Sequence, residues 1–217
     1  MIITSKAKKY LFLFLTAAAL VFLAYLAVSP NLRSRDNKIA SMPEIGVHFI
    51  DVGQGDATLL DLGEEHVLID GGRSGAALAY LQDQGISSLD LVVATHPDAD
   101  HIGGLDDVIS SLGVEEVWDG GTVNDTLAYD AYKSSILTKG LSMSPVRRGE
   151  VQAFANGARL EVLSPSAISN SDLNNSSLVL RLTYGDFSYL FMGDAETEVE
   201  NTLLMNGTVL DSDVLKV

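Results

Sequence analysis

The apolar run Leu89-Asp90-Leu91-Val92-Val93-Ala94-Thr95 has the composition of a strand buried on both faces, and His96-Pro97-Asp98-Ala99-Asp100-His101 follows at its C-terminal end. Two imidazoles and two carboxylates within six residues are the usual ligand set for divalent transition metals, and one loop can offer them to two neighbouring ions. Pro97 removes a backbone donor and stiffens the loop, while Gly103-Gly104 lets backbone come close behind it. A solvated acidic turn has no reason to set two histidines beside two aspartates. The segment therefore reads as a metal-binding loop.

The flanking sequence supplies a layered frame for it. Val47 to Val52 alternates and is rich in β-branched and aromatic residues, and Ala57 to Leu62 and His66 to Asp70 follow after glycine-containing turns, which predicts a three-stranded meander. Gly75 to Gln84 is helical in composition and stops at Gly85. Beyond the loop, helices are expected over Gly103–Leu112, Leu127–Thr138 and Glu196–Met205. Strands are expected over Val114–Trp118, Arg159–Leu163, Leu178–Tyr184 and Ser188–Met192, the last two joined at Gly185-Asp186. Meanders interleaved with helices predict an α/β sandwich rather than an all-parallel sheet.

Ahead of this domain, residues 10–28 carry no charge, enough to cross a hydrocarbon core of about 30 Å. A secretory signal has a shorter apolar stretch, so an uncleaved transmembrane anchor is expected in preference to a cleaved leader. The expected plan is a short basic tail (1–9), the anchor (10–28), a polar tether (29–45) and the globular domain (46–217). Lys6, Lys8 and Lys9 are balanced by Arg33, Arg35 and Lys38, so the very short tail carries the orientation argument: N-terminus inside, domain extracytoplasmic. The chain has no cysteine, which suits an exported domain without excluding other compartments. Residues 1–40 hold six basic side chains and one acidic, net +5, so the −15 of the whole chain becomes −20 on residues 41–217. Such a domain repels polyanions at long range, and a nucleic-acid substrate would need metal ions or a local basic patch.

Taken together, VHFIDVGQGDATLL (47–60), VLIDGG (67–72), VVATHPDADHIGG (92–104), NNSSLVLRLTYGDFSYLFMGDAE (174–196) and VLKV (214–217) resemble, in order, the metallo-β-lactamase fold. Within that fold they resemble the extracellular hydrolase domain of ComEC-type competence proteins and their free-standing relatives. The resemblance implies a four-layer αββα sandwich carrying two divalent ions, zinc or manganese. It assigns His96 and Asp98 to one ion, Asp100 and His101 to the other, and Asp194 as the bridging carboxylate, with Asp100 also the candidate catalytic residue. Asp70 would orient a ligand by a hydrogen bond rather than bind metal. Gln54 and Asp56 are candidates for substrate contact or support, though a tight glycine turn explains their surroundings equally well. Asn174, with Asn175 as alternate, would stand where other members place a histidine, since no histidine follows His101.

In ComEC-like proteins the strand resembling Val214–Val217 runs on into Gly-His-His-Gly-Ser. The second half of the sandwich is therefore expected to be incomplete, and the sequence to be a fragment of a longer product. The implied activity is metal-dependent hydrolysis of a phosphodiester in DNA, linked to DNA uptake, with the membrane and DNA as partners and no defined protein partner. The competing readings are a small-molecule hydrolase for a lactone, thioester or small phosphodiester, and a non-catalytic truncated binding module. His48 and His66 are expected to be structural.

Overall fold

The computed structural model describes residues 16–22, 43–168 and 172–217 and divides into two units, Met1–Met42 and Pro43–Val217. In the first, residues 16–22 are helical (α1), with Leu20, Val21 and Phe22 exposed. The rest of the expected anchor and most of the tether lie outside the described residues. No helix among the described residues is long and apolar enough to cross a membrane.

The second unit is built on two sheets. In the first, β1 (Gly46–Phe49), β2 (Thr58–Asp61) and β3 (His66–Ile69) form the expected antiparallel meander. From β3 the sheet turns parallel through β4 (Ser88–Ala94), β5 (Gly113–Asp119) and β6 (Met143–Pro145). Parallel neighbours need long crossovers. These are α2 (Ala76–Asp83), then α3 (Ala99–Ile102) with α4 (Leu105–Ser111), then α5 (Leu127–Thr138). In the second sheet β7 (Val151–Ala153), β8 (Arg159–Ser164), β9 (Val179–Tyr184) and β10 (Phe187–Phe191) are antiparallel. There α6 (Thr197–Met205) carries the chain over to β11 (Val214–Lys216), parallel to β10.

Burial follows from strand alternation. Leu59, Leu68 and Val92 pack with Leu81, Leu105, Ile109 and Ile136 of the helices. Val67 and Ile69, also buried, alternate with Leu68 and so face the other side of the sheet. On the second sheet, Leu163, Val179, Leu190 and Met192 pack with Val199 and Leu203 of α6. The two sheets are tied at both ends: Leu178 N–H donates to the Thr95 carbonyl (2.9 Å) at the end of β4, and Asn156 Nδ2 donates to the Leu62 carbonyl (3.0 Å) at the opposite turn. The order is helix, sheet, sheet, helix.

Three local expectations need correction. The first strand ends at Phe49 rather than Val52, because Gly53 and Gly55 take left-handed conformations and turn the chain towards the end of β4. The helix expected over 103–112 is α4, which starts at Leu105 after Gly103-Gly104, and a separate helical turn, α3, forms within the loop ahead of the glycine pair. A Cβ on Gly104 would lie 2.3 Å from the Gly71 carbonyl oxygen, so the glycine pair admits a neighbouring loop that a continuous helix would exclude. The three-residue strands β6 and β7 are too short to show a period of two and were not expected.

Leu68 is fully buried at the centre of β3. Leu68→Ala should lower unfolding free energy by about 2–5 kcal/mol, read from urea denaturation of the full chain at constant m-value.

Candidate metal centre

The centre lies where β3, β4 and β10 end. Asp70, directly after β3, has φ 59°, a left-handed conformation uncommon outside glycine. That turn aims its carboxylate at β4: Thr95 donates to it through N–H (2.8 Å) and through Oγ1 (2.7 Å), and His101 Nδ1 lies 2.8 Å from the same Oδ2. Asp70 is thus a buried anion bonded by three groups. With Nδ1 held there, His101 Nε2 faces Asp194 Oδ1 at 3.2 Å. Asp194 sits just after β10, where Gly193 takes φ 54° and the Asp194 N–H donates to Ser177 Oγ (3.2 Å).

His96 lies beside His101, ring centroids 4.1 Å apart. Its Nδ1 is 3.2 Å from Thr95 Oγ1 and 3.3 Å from Ser177 Oγ. Its Nε2 is buried and has no hydrogen-bond partner among the described residues. Such an atom is costly to bury unless something accepts or coordinates it. One atom each from His96, His101 and Asp194 fall within 4.8 Å of one another, as do one each from Asp56, Asp70 and His101. Asp98 borders the first group, with Oδ2 3.7 Å from His96 Nε2. Asn124 Nδ2 holds its other oxygen at 3.2 Å and also donates to the Pro97 carbonyl (3.0 Å).

Electrostatics favour a cation here. Burial opposes a charge on His101, yet the hydrogen bond to Asp70 and the negative fields of Asp70, Asp194 and Asp56 outweigh it and push the imidazole up to about 9. His96 is held below the ordinary value by burial and by the His101 charge, against the opposing pull of Asp70, Asp194 and Asp98. A field that holds a proton on His101 also favours a metal cation, and a neutral His96 presents a ligand lone pair. Two imidazoles with adjacent carboxylates and an unpartnered buried nitrogen fit a divalent transition metal.

The remaining sequence candidates divide. Asp100 does not join the cluster: its Oδ2 accepts from Gln54 Nε2 (3.3 Å) and lies 3.8 Å from Arg73 Nη2. Asp56 is closer to the centre than the glycine turn suggested, because its N–H donates to the Asp100 carbonyl (3.1 Å) and its carbonyl accepts from Gly72 N–H (2.8 Å). Asn174 Nδ2 donates to Glu196 Oε1 (3.2 Å), and Asn175 binds Asp172 and the Glu196 N–H, so neither belongs to the two clusters. His48 bonds Tyr80 and His66 lies near Asp61. Thr95, Asn124, Ser177, Arg73 and Lys216 were not singled out beforehand. Thr95, Ser177 and Lys216 carried a signal, their places in the stretches 92–104, 174–196 and 214–217, while Asn124 and Arg73 carried none.

Two sheets flanked by helices, with histidines and aspartates gathered where strands end, define a metal-binding class of α/β sandwich. The metallo-beta-lactamase superfamily model matches residues 50–215, and the chain belongs to that superfamily. It is 30% identical over 196 residues to ComE operon protein 3 of Bacillus subtilis (strain 168), covering 79% of this chain and 25% of that protein. It is 29% identical over 166 residues to competence protein ComA of Neisseria gonorrhoeae, covering 74% of this chain and 21% of that one. The chain thus spans about a quarter of the length of these curated relatives. Among solved structures it resembles the MIM-2 metallo-beta-lactamase, with a TM-score of 0.53 at 16% identity over 78% of this chain and 71% of that one, a likeness of fold.

Asp70→Ala leaves His101 Nδ1 and the Thr95 hydroxyl without their shared acceptor. The variant should unfold about 1–3 kcal/mol more easily in urea and bind zinc about 10- to 100-fold more weakly by competition with a chromophoric chelator.

Proposed function

We propose that this protein is a membrane-anchored, metal-dependent phosphodiesterase acting on DNA, of the kind linked to DNA uptake. The observation that carries the reading is the buried His96–His101 pair beside Asp194, with an unpartnered imidazole nitrogen, in a chain whose similar relatives include competence proteins. In this reading residues 1–9 are a cytoplasmic tail, 10–28 a single membrane span, 29–45 a tether and 46–217 an extracytoplasmic catalytic domain.

The residues present suit two divalent ions. His96 and Asp98 would hold one, Asp100 and His101 the other, with Asp194 shared, and the mixed nitrogen and oxygen set suits zinc or manganese. When bound, the ions supply Lewis acidity, lowering the pKa of water and stabilising charge on a phosphoryl oxygen. The chain's own residues prepare for this. Asp70 fixes His101 so that Nε2 points outward, and Asn124 holds one oxygen of Asp98 so that the other faces His96. Asp100 has to leave Gln54 and Arg73 before it can serve as a ligand. The second ion should therefore bind more weakly than the first. Titration of the metal-free chain with zinc should show two classes of site, and Asp100→Asn should remove only the weaker. A single class unaffected by Asp100→Asn would contradict the assignment.

The net −20 of residues 41–217 favours the second reading, a hydrolase for a small lactone, thioester or phosphodiester. The zinc- or manganese-loaded chain should cleave single-stranded DNA and a model phosphodiester, and His96→Ala should abolish both activities. Lactone cleavage without any nuclease activity would overturn the DNA reading.

A further inference from the structure

Residues 41–217 contain only eight Lys and Arg. Two of the eight, Arg73 and Lys216, each stand against a carboxylate on the segments that border the candidate centre. Arg73 Nη2 is 3.8 Å from Asp100 Oδ2. Lys216 Nζ pairs with Asp56 Oδ2 and also donates to the Val217 carbonyl (2.9 Å). The two pairs are neighbours, because the Asp56 N–H donates to the Asp100 carbonyl. Gly55 makes that approach possible: it has φ 93°, and a Cβ there would lie 1.7 Å from the Asp100 carbonyl oxygen. One backbone contact therefore joins the segments that carry the two ion pairs. Both cations reach solvent, with side-chain exposures of 56% for Arg73 and 25% for Lys216.

We propose that Arg73 and Lys216 form a binding site for a phosphoryl group at the mouth of the centre, held closed by Asp100 and Asp56 until a divalent cation draws those carboxylates away. The proposal rests on the metal-centre reading and adds to it the part of the chain that recognises the substrate. A divalent ion attracts a carboxylate more strongly than a monovalent side chain at similar distance. Once released, a guanidinium offers paired donors matched to two phosphoryl oxygens, and an ammonium offers three rotatable donors. An acidic domain would then attract an anion here, and chiefly after the metal has bound.

The test is calorimetric binding of inorganic phosphate, and of dimethyl phosphate as the diester, to the full 217-residue chain. The zinc-loaded chain should bind at least about tenfold more tightly than the metal-free chain, and the anion showing the larger gain identifies the natural group. D56N/D100N, which releases both cations without any metal, should bind at least about tenfold more tightly than the metal-free parent. Adding R73M and K216M should cancel that gain. Equal affinity with and without the two cations would overturn the proposal. D100N against D100N/R73M, with the Asp56–Lys216 pair intact, gives the same comparison if the multiple variants fail to fold by circular dichroism. Failure of zinc to bind would defeat the metal-centre reading, while the metal-free comparison would still decide whether these cations bind phosphate.

Discussion

The bonds accepted by the Asp70 carboxylate hold the rest of the centre in place. One buried anion receives the Thr95 N–H, the Thr95 hydroxyl and a contact from His101 Nδ1, and so joins the end of β3 to the end of β4 and to α3. It fixes the His101 ring so that the other nitrogen meets Asp194 from the second sheet. The left-handed turn at Asp70 is retained because these contacts, together with its own N–H donating to the Val93 carbonyl (2.8 Å), over-determine it.

Packing and site are two results of one topology. The parallel register of β3 and β4, with Ile69 opposite Val93, brings both strand ends to the same edge. The antiparallel second sheet delivers Asp194 there through the hairpin of β9 and β10. Because the strands are buried on both faces, the polar residues that follow them emerge at that edge, where their side chains can turn to one another. The acidic surroundings that push His101 up to about 9 are the same feature that suits the place to a metal ion.

Much of this was legible in the sequence wherever a local pattern was long enough. The apolar run of β4 and the HPDADH loop locate the centre, and Leu127–Thr138 forms the helix expected of it. The break between α3 and α4 was harder to see, because the Gly103-Gly104 pair answers to the approach of Gly71, a neighbour distant in sequence. Asn124 and Lys216 act on residues 26 and 160 positions away, and the local sequence around each does not name that partner. For Asp100 the sequence gives the residue and its place in the loop, while its orientation depends on Gln54 and Arg73 from two other loops. Residue type and strand-end position can be read locally, whereas the partner of each side chain is a tertiary fact.

X-ray absorption spectroscopy at the zinc edge of the zinc-loaded chain tests the account most directly. A centre built on His96 and His101 predicts two imidazole nitrogens at about 2.0–2.1 Å from zinc, with oxygen completing the shell. A shell of oxygen alone, or zinc that does not stay with the chain on desalting, would contradict it.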